Sequence, residues 1–340
     1  MGENAKSGTA SGSFKKLLKS PRLWILIVTI AVLSVLQPGV FLTRANMISI
    51  LLSISIYGIM VCGTIFPILL GGIDLSVGAV AAAAGAACVV TIVNHDFSNP
   101  SVLTGVLFGL GIGLLVGLAH GIIVSTFSVP PFLITLASQY IVYGIAQLLT
   151  QNNVIACMKP ATFAFLGGGR PFGIPFSIII MAVMALISYF ILNRTVFGRT
   201  VYAVGGNVEA SRLSGVRSRM VIIVCYMFSG LTSALAGIVL ASMNRQAIAK
   251  AAQGYDNFVL TALVVGGASL MGGEGNITGA IWGAFLVGMV SNGLRLLGIA
   301  SEYHGIFKCI VIVAAVSLDA TMRYRKSGLQ RRRRRKVSVS

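Results

Sequence analysis

A succession of apolar runs, most of them long enough to cross a bilayer as a helix, constrains this chain more than any other feature. A helical crossing takes about 20 predominantly apolar residues, because lipid offers no partner to backbone N–H and C=O groups. The first run extends from Leu23 to Leu36 and closes near Gln37-Pro38-Gly39. Further runs lie at 47–70, 79–93, 101–126, 132–150, 176–193, 221–243, 257–271, 277–297 and 305–320. The pattern predicts an all-α, polytopic membrane protein of about ten transmembrane helices. The runs at 79–93 and 257–271 are short and sit beside glycine motifs, so broken or short helices are expected there. The first run lacks a small-residue cleavage site and more spans follow, which sets it apart from a secretory signal.

Charge places the ends. Only 10% of the 340 residues are charged, against about 25% in an ordinary soluble domain. No separate soluble domain is expected: residues 1–22 and 321–340 read as basic cytoplasmic tails around one membrane domain, 23–320. The net charge of +18 is concentrated, with nine of the 26 Lys and Arg residues in the last 18 positions, including Arg331 to Lys336. Cations next to a span obey the positive-inside rule, and no basic face with aromatics marks a nucleic-acid binder. With both termini in the cytoplasm, the N-terminal tail, the 194–220 loop and the C-terminal tail hold 19 of the 26 cations on that side. That asymmetry supports an even number of spans.

Two apolar stretches carry an acid among glycines. Gly71-Gly72-Ile73-Asp74-Leu75-Ser76-Val77-Gly78 is the first, and Gly266-Gly267-Ala268-Ser269-Leu270-Met271-Gly272-Gly273-Glu274-Gly275 is the second. A carboxylate at the centre of a spanning helix costs roughly 2.5–3.5 kcal/mol on insertion scales, so the chain must break the helix, pair the charge or reach water. Paired interruptions of this kind point to a transport pathway. Gly71, Gly72, Asp74, Ser76, Gly78, Gly266, Gly267 and Ser269 are therefore the pathway candidates. The orientation count puts both stretches toward the cytoplasmic ends of their helices, which favours a built-in helix break over an ion-coupling site.

Gly105, Gly109, Gly113, Gly117 and Gly121 recur every four residues and form one helix stripe, suited to close helix packing rather than to a pore lining. His120, beside that stripe, is expected to be a hydrogen-bonded packing residue. The 151–175 segment, broken by Pro160, Gly167-Gly168-Gly169 and Pro171, either caps a pathway, docks an external partner or simply connects two spans. In the 194–220 loop, Asn207 can cap a short helix with Glu209 in its first turn, and Gly215 can end it.

Several chemistries are excluded. There is no Gly-Lys-Ser or Gly-Lys-Thr, hence no Walker-type phosphate loop. The scattered His95, His120 and His304 predict no metal site. Cys62, Cys88, Cys157, Cys225 and Cys309 read as small apolar residues without disulfide or metal spacing. A hydrolase built from Ser269 and His120 lacks a nucleophile motif. Few acids lie near the spans, so energy is expected from a partner protein rather than from an ion gradient; an ion-coupled secondary sugar transporter is the alternative.

Three motifs together resemble the ribose/xylose-type permeases of bacterial ABC importers: Gly71 to Gly78, Ala203 to Val216, and Val264 to Asn276. The likeness runs from about residue 23 to residue 320. It implies a multi-pass permease of the bacterial inner membrane that imports a monosaccharide, a pentose, hexose or related polyol, and is not itself an enzyme. It implies a second permease subunit, identical or not, an ATPase with two nucleotide-binding domains, and an extracytoplasmic sugar-binding protein. ATP and Mg would be used by that ATPase, with no cofactor bound by this chain. Gly205, Gly206, Asn207, Glu209, Ala210, Arg212 and Gly215 match the coupling segment that seats in the ATPase. The chain departs from common members at Met271, Glu274 and the Arg331 to Lys336 tail.

Overall fold

A computed structural model describes residues 21–127, 129–299, 303 and 306. The helices in order are α1 (Pro21–Leu36), α2 (Arg44–Leu69), α3 (Val77–Asn94), α4 (Asn99–Phe127), α5 (Pro131–Thr150), α6 (Ala161–Gly168), α7 (Phe176–Arg194), α8 (Val196–Gly206), α9 (Val208–Leu213), α10 (Ser218–Asn244), α11 (Tyr255–Val265) and α12 (Ile277–Leu296). Two short strands, β1 (Ile155–Ala156) and β2 (Gln246–Ala247), pair antiparallel. Among the described residues, seven helices are long and apolar enough to cross a membrane: α2, α3, α4, α5, α7, α10 and α12. The apolar part of α1 (Ile27–Leu36) and α11 are shorter. The expected last span, 305–320, and the C-terminal tail lie outside the described residues, apart from Ile306.

Small residues decide which helices form the centre. The apolar windows of α2, α3, α10 and α12 are 72, 78, 61 and 61% buried, against 28, 17 and 22% for α4, α5 and α7. The second group therefore leaves large apolar side chains such as Leu107, Leu115, Ile141 and Leu186 exposed, as a lipid-facing or subunit-facing layer must. At the centre runs α10, whose Ser229, Gly230, Ser233, Ala234 and Gly237 are buried. A Cβ on Gly63 of α2 would meet the Thr232 hydroxyl, and a Cβ on Gly237 would meet the Ala81 carbonyl of α3. Backbones this close gain dispersion contacts that bulkier residues would forbid.

The α4 stripe is used along its whole length. Cβ atoms added at Gly105 and Gly109 would run into the carbonyls of Cys88 and Ala84 on α3. At Gly113, Gly117 and Gly121 they would run into α10, at Gly230, Tyr226 and Ile223. The pairings show α4 antiparallel to both helices, with α3 and α10 parallel to one another. His120 is buried, with Nε2 2.7 Å from Ser138 Oγ on α5.

The predicted run at 257–271 takes a different shape. Its helix, α11, stops at Val265 after 11 residues, about 16 Å at 1.5 Å per residue. On the N-terminal side of that helix the chain runs irregularly through 245–254. There Ala247, Ala249 and Ala252 are buried, and short turns bond Ala251 N to Ile248 O and Gln253 N to Lys250 O. Non-helical backbone at membrane depth survives only where protein or water covers it.

Four of the five cysteines, Cys62, Cys88, Cys157 and Cys225, are buried free thiols, and Cys309 lies outside the described residues.

Candidate functional site

The first glycine motif begins as the end of α2 and finishes as the start of α3. Leu70, Gly71 and Gly72 close α2 by donating to the carbonyls of Pro67, Ile68 and Pro67, and Gly71 adopts φ +78°. That left-handed turn suits glycine, which pays no Cβ penalty there. Asp74 is then turned inward and is 5% exposed. Its Oδ1 accepts from the Ser76 N–H (3.0 Å) and Ser76 Oγ (2.7 Å), and its Oδ2 accepts from Ser229 Oγ on α10 (2.7 Å). The carboxylate is thus held by neutral donors at the mouth of α3, whose N-terminal dipole favours a negative charge. Thr135 of α5 donates to the Ile73 carbonyl at 3.0 Å, fixing the break against a third helix.

The second motif closes α11 in the same way. Gly266 caps the helix, Gly267 takes φ +87°, and the chain folds back through Gly272 (φ +82°) and Gly273 (φ +74°). Ser269, 2% exposed, accepts the Met271 N–H on Oγ, and its own N–H donates to the Glu274 carbonyl at 2.8 Å. Asn276 then starts α12 by accepting from the Gly279 N–H at 2.6 Å.

Glycines from three distant stretches meet at one junction. Gly273 N–H donates to the Leu69 carbonyl at 2.8 Å. A Cβ on Gly71 would lie 3.2 Å from the Met271 carbonyl, and one on Gly272 would lie 2.7 Å from Gly71 N and 2.9 Å from the Gly205 carbonyl. At Gly205, the penultimate residue of α8, a Cβ would overlap the Leu69 carbonyl. Tyr202, one turn earlier on α8, donates from its hydroxyl to the Gly275 carbonyl at 2.8 Å. Partial burial raises the Tyr202 phenol above its ordinary pKa. The end of α8 is therefore in backbone contact with the end of α2 and with the turn between α11 and α12.

The short helix expected after Asn207 is α9, and a second helix, α8, precedes it. α8 is capped by Thr195 Oγ1, which accepts from Gly198 N–H, and α9 by Asn207, which accepts from Ala210 N–H at 2.9 Å. Gly215, at φ +83°, turns the chain into α10. Beyond the junction the side chains face outward: Glu209 and Arg212 form an ion pair at 3.1 Å with both side chains 70% exposed. A pair that open contributes about 0–1 kcal/mol. The α8 pattern was readable as a buried face at Gly198, Val201 and Val204, the 3,3 spacing of one helix side.

Asp74, Ser76, Gly78, Gly266 and Ser269 are all buried inside this subunit. Ser269 and His120, the hydrolase pair, bond to different partners, Met271 N and Ser138 Oγ. At the other end of the bundle, β1 and β2 tie the 151–175 segment to the end of α10, and Ser242 accepts from Gly167 N at 2.7 Å.

The family model for branched-chain amino acid transport system / permease component matches residues 46–316. The chain belongs to this permease family. The ribose import permease protein RbsC of Escherichia coli strain K12 is 36% identical to it over 306 residues, covering 89% of this chain and 94% of that protein. The L-arabinose transport system permease protein AraH of the same strain is 35% identical over 320 residues, covering 92% and 96%. The fructose import permease protein FrcC of Rhizobium meliloti is 33% identical over 308 residues, covering 88% and 85%. No solved structure matches the chain. This permease is a multi-pass membrane protein, and its relatives are transporter components rather than enzymes.

Proposed function

We propose that this permease is the membrane subunit of an ATP-binding cassette importer that moves a monosaccharide inward. The sugar is a pentose, hexose or related polyol delivered by an external binding protein, and a separate ATPase using ATP and Mg supplies the work. The relatives named for ribose, L-arabinose and fructose support the cargo class. The carrying observation for coupling is the contact of Gly205 with Leu69 and Gly273.

In this reading α8 and α9 lie at the cytoplasmic face. Glu209, Ala210 and Arg212 present α9 to a groove of the ATPase, while Gly205 and Gly206 transmit its displacement to the α2–α3 break and to the α11–α12 turn. Asp74 holds the first break to α10, so motion of α8 reaches the central helix through hydrogen bonds and packed backbone rather than through a titrating group. The chain sits in the bacterial inner membrane with both termini inside, and works as a pair with a second permease subunit.

The test is ATP-driven uptake of labelled ribose, arabinose or fructose into vesicles carrying this permease, its ATPase and its binding protein. Glu209→Lys is expected to abolish uptake and leave insertion unchanged, because the native ion pair is exposed and contributes little to folding. Uptake that survives loss of the ATPase and collapses with an ionophore would overturn the proposal.

A further inference from the structure

The break before α11 carries an open polar surface. The Ala252 carbonyl lies where a Cβ on Gly78 would come within 2.5 Å of it, and the Tyr143 hydroxyl of α5 would be 3.2 Å from the same point. Gly78 is the second residue of α3, about 24 Å along that helix from Asn94 at 1.5 Å per residue. Asp74 bonds Ser229 and Ala81 packs on Gly237, so Gly78 is level with the middle of the 27-residue α10, and the chain around Ala252 lies within a hydrocarbon core about 30 Å thick.

Around that point Lys250, Gln253 and Asn257 are exposed, and their side chains make no hydrogen bond within the described chain. The buried Tyr143 hydroxyl lies beside the Ala252 carbonyl. An ammonium, two amides and a phenol at that depth cannot face hydrocarbon, because groups of this kind inside a membrane face the bundle interior or a water-filled cavity. By contrast, the exposed positions of α4 and α7, such as Leu107, Leu115 and Leu186, are apolar.

We infer that the segment 250–257, the end of the break and the first turn of α11, with Lys250, Gln253, Asn257 and the Tyr143 hydroxyl, lines the translocation path and hydrogen-bonds the hydroxyl groups of a neutral polyhydroxylated cargo. The assignment rests on the transport reading above for its cargo and on the geometry alone for its access to water. Amides donate and accept at once, as a sugar hydroxyl does, and three side chains spaced along the end of the break and the first turn of α11 can exchange partners as the cargo passes. The buried Asp74 and Ser269 then serve the moving junction, and cargo contact falls to a stretch without an apolar period or a glycine pair.

The test uses full-length Gln253→Cys and Asn257→Cys in vesicles holding the complete transporter, with Leu107→Cys as a lipid-facing control and the unsubstituted chain to account for native thiols. A charged, membrane-impermeant methanethiosulfonate is expected to modify both path positions at least about tenfold faster than Leu107→Cys, and to block ribose uptake once they are modified. Rates equal to that of Leu107→Cys would overturn the inference, since they would mean a face covered by lipid or by a second copy of the chain. As a second measure, Gln253→Leu with Asn257→Leu should lower uptake of ribose, arabinose or fructose roughly tenfold, while Gln253→Asn with Asn257→Gln retains most of it. Wild-type uptake by the inserted double Leu variant would equally overturn it. Labelling needs no ATPase, so transport that proved independent of an ATPase would defeat the importer reading and leave the labelling rates to decide the lining.

Discussion

Asp74 is a buried carboxylate that three neutral donors satisfy, two on Ser76 and one on Ser229. Replacing it with leucine strands those donors in a dry interior, at about 1–3 kcal/mol for each unsatisfied group. Asp74→Leu should therefore lower the unfolding midpoint of detergent-solubilised protein by an amount equivalent to about 3 kcal/mol, and Asp74→Asn, which keeps acceptors on one oxygen, by less. Equal midpoints for Asp74→Leu and the native chain would show that the hydrogen bonds carry no stability. Two glycines of α4 make a sharper contrast, being two positions apart on one helix. A Cβ on Gly113 would come within 2.4 Å of the Gly230 carbonyl, whereas one on Gly111 meets nothing within 4 Å. Alanine is the better helix former by about 0.8–1 kcal/mol, so Gly111→Ala should stabilise slightly. Gly113→Ala must push α4 from α10, and the overpacking should cost about 1–3 kcal/mol. Thermal unfolding of the two variants side by side measures the difference.

At the scale of elements, the decisive relation is between α8 and the ends of α2 and α11. Because the Gly205 site has backbone on its far side, the Leu69 carbonyl and the Gly273 N–H, no flexible side chain can yield to a methyl there. Gly205→Ala should displace α8 from the junction and uncouple the machine: ATP hydrolysis by the assembled complex loses its stimulation by loaded binding protein, while insertion of the permease persists. Gly206, where an added Cβ meets nothing within 4 Å, serves as the control, and Gly206→Ala should leave stimulated hydrolysis near the native level. In the proposed coupling reading, the same relation accounts for the two helices joined at Asn207. That residue ends α8 in an extended conformation and caps α9 with its side chain, so the inner helix is fixed to the bundle and the outer one stands exposed.

For the whole molecule, helix directions follow from the contacts between them, and they put the α8–α9 segment and the 151–175 segment at opposite ends. Phe172, 99% exposed in the second of these, and Glu209 in the first mark the two ends. With the proposed orientation, Phe172→Cys should react with an impermeant maleimide on cells whose inner membrane is intact, and Glu209→Cys only after that membrane is opened. The reverse pattern would invert the topology and remove α9 from reach of a cytoplasmic ATPase.

Much of this architecture is local and therefore legible in the chain. Lipid acts on every residue it touches, so apolar runs marked α2, α3, α4, α5, α7, α10 and α12, and a cap residue marked α9 at Asn207. The four-residue glycine spacing announced a packing stripe in the same way. Contacts between distant stretches leave no such mark. Asp74 and Ser229 are 155 residues apart, and nothing in either segment names the other. Gly71, Gly205 and Gly272 offer no side chain from which a meeting of backbones can be read. The 245–254 descent was hidden for the opposite reason: it has no period, because its alanines are covered by neighbouring helices and its polar residues stand open. Hydropathy is a property of one residue against its solvent, and it determined the spans; close approach is a property of two surfaces, and only the packed bundle decided where the breaks meet.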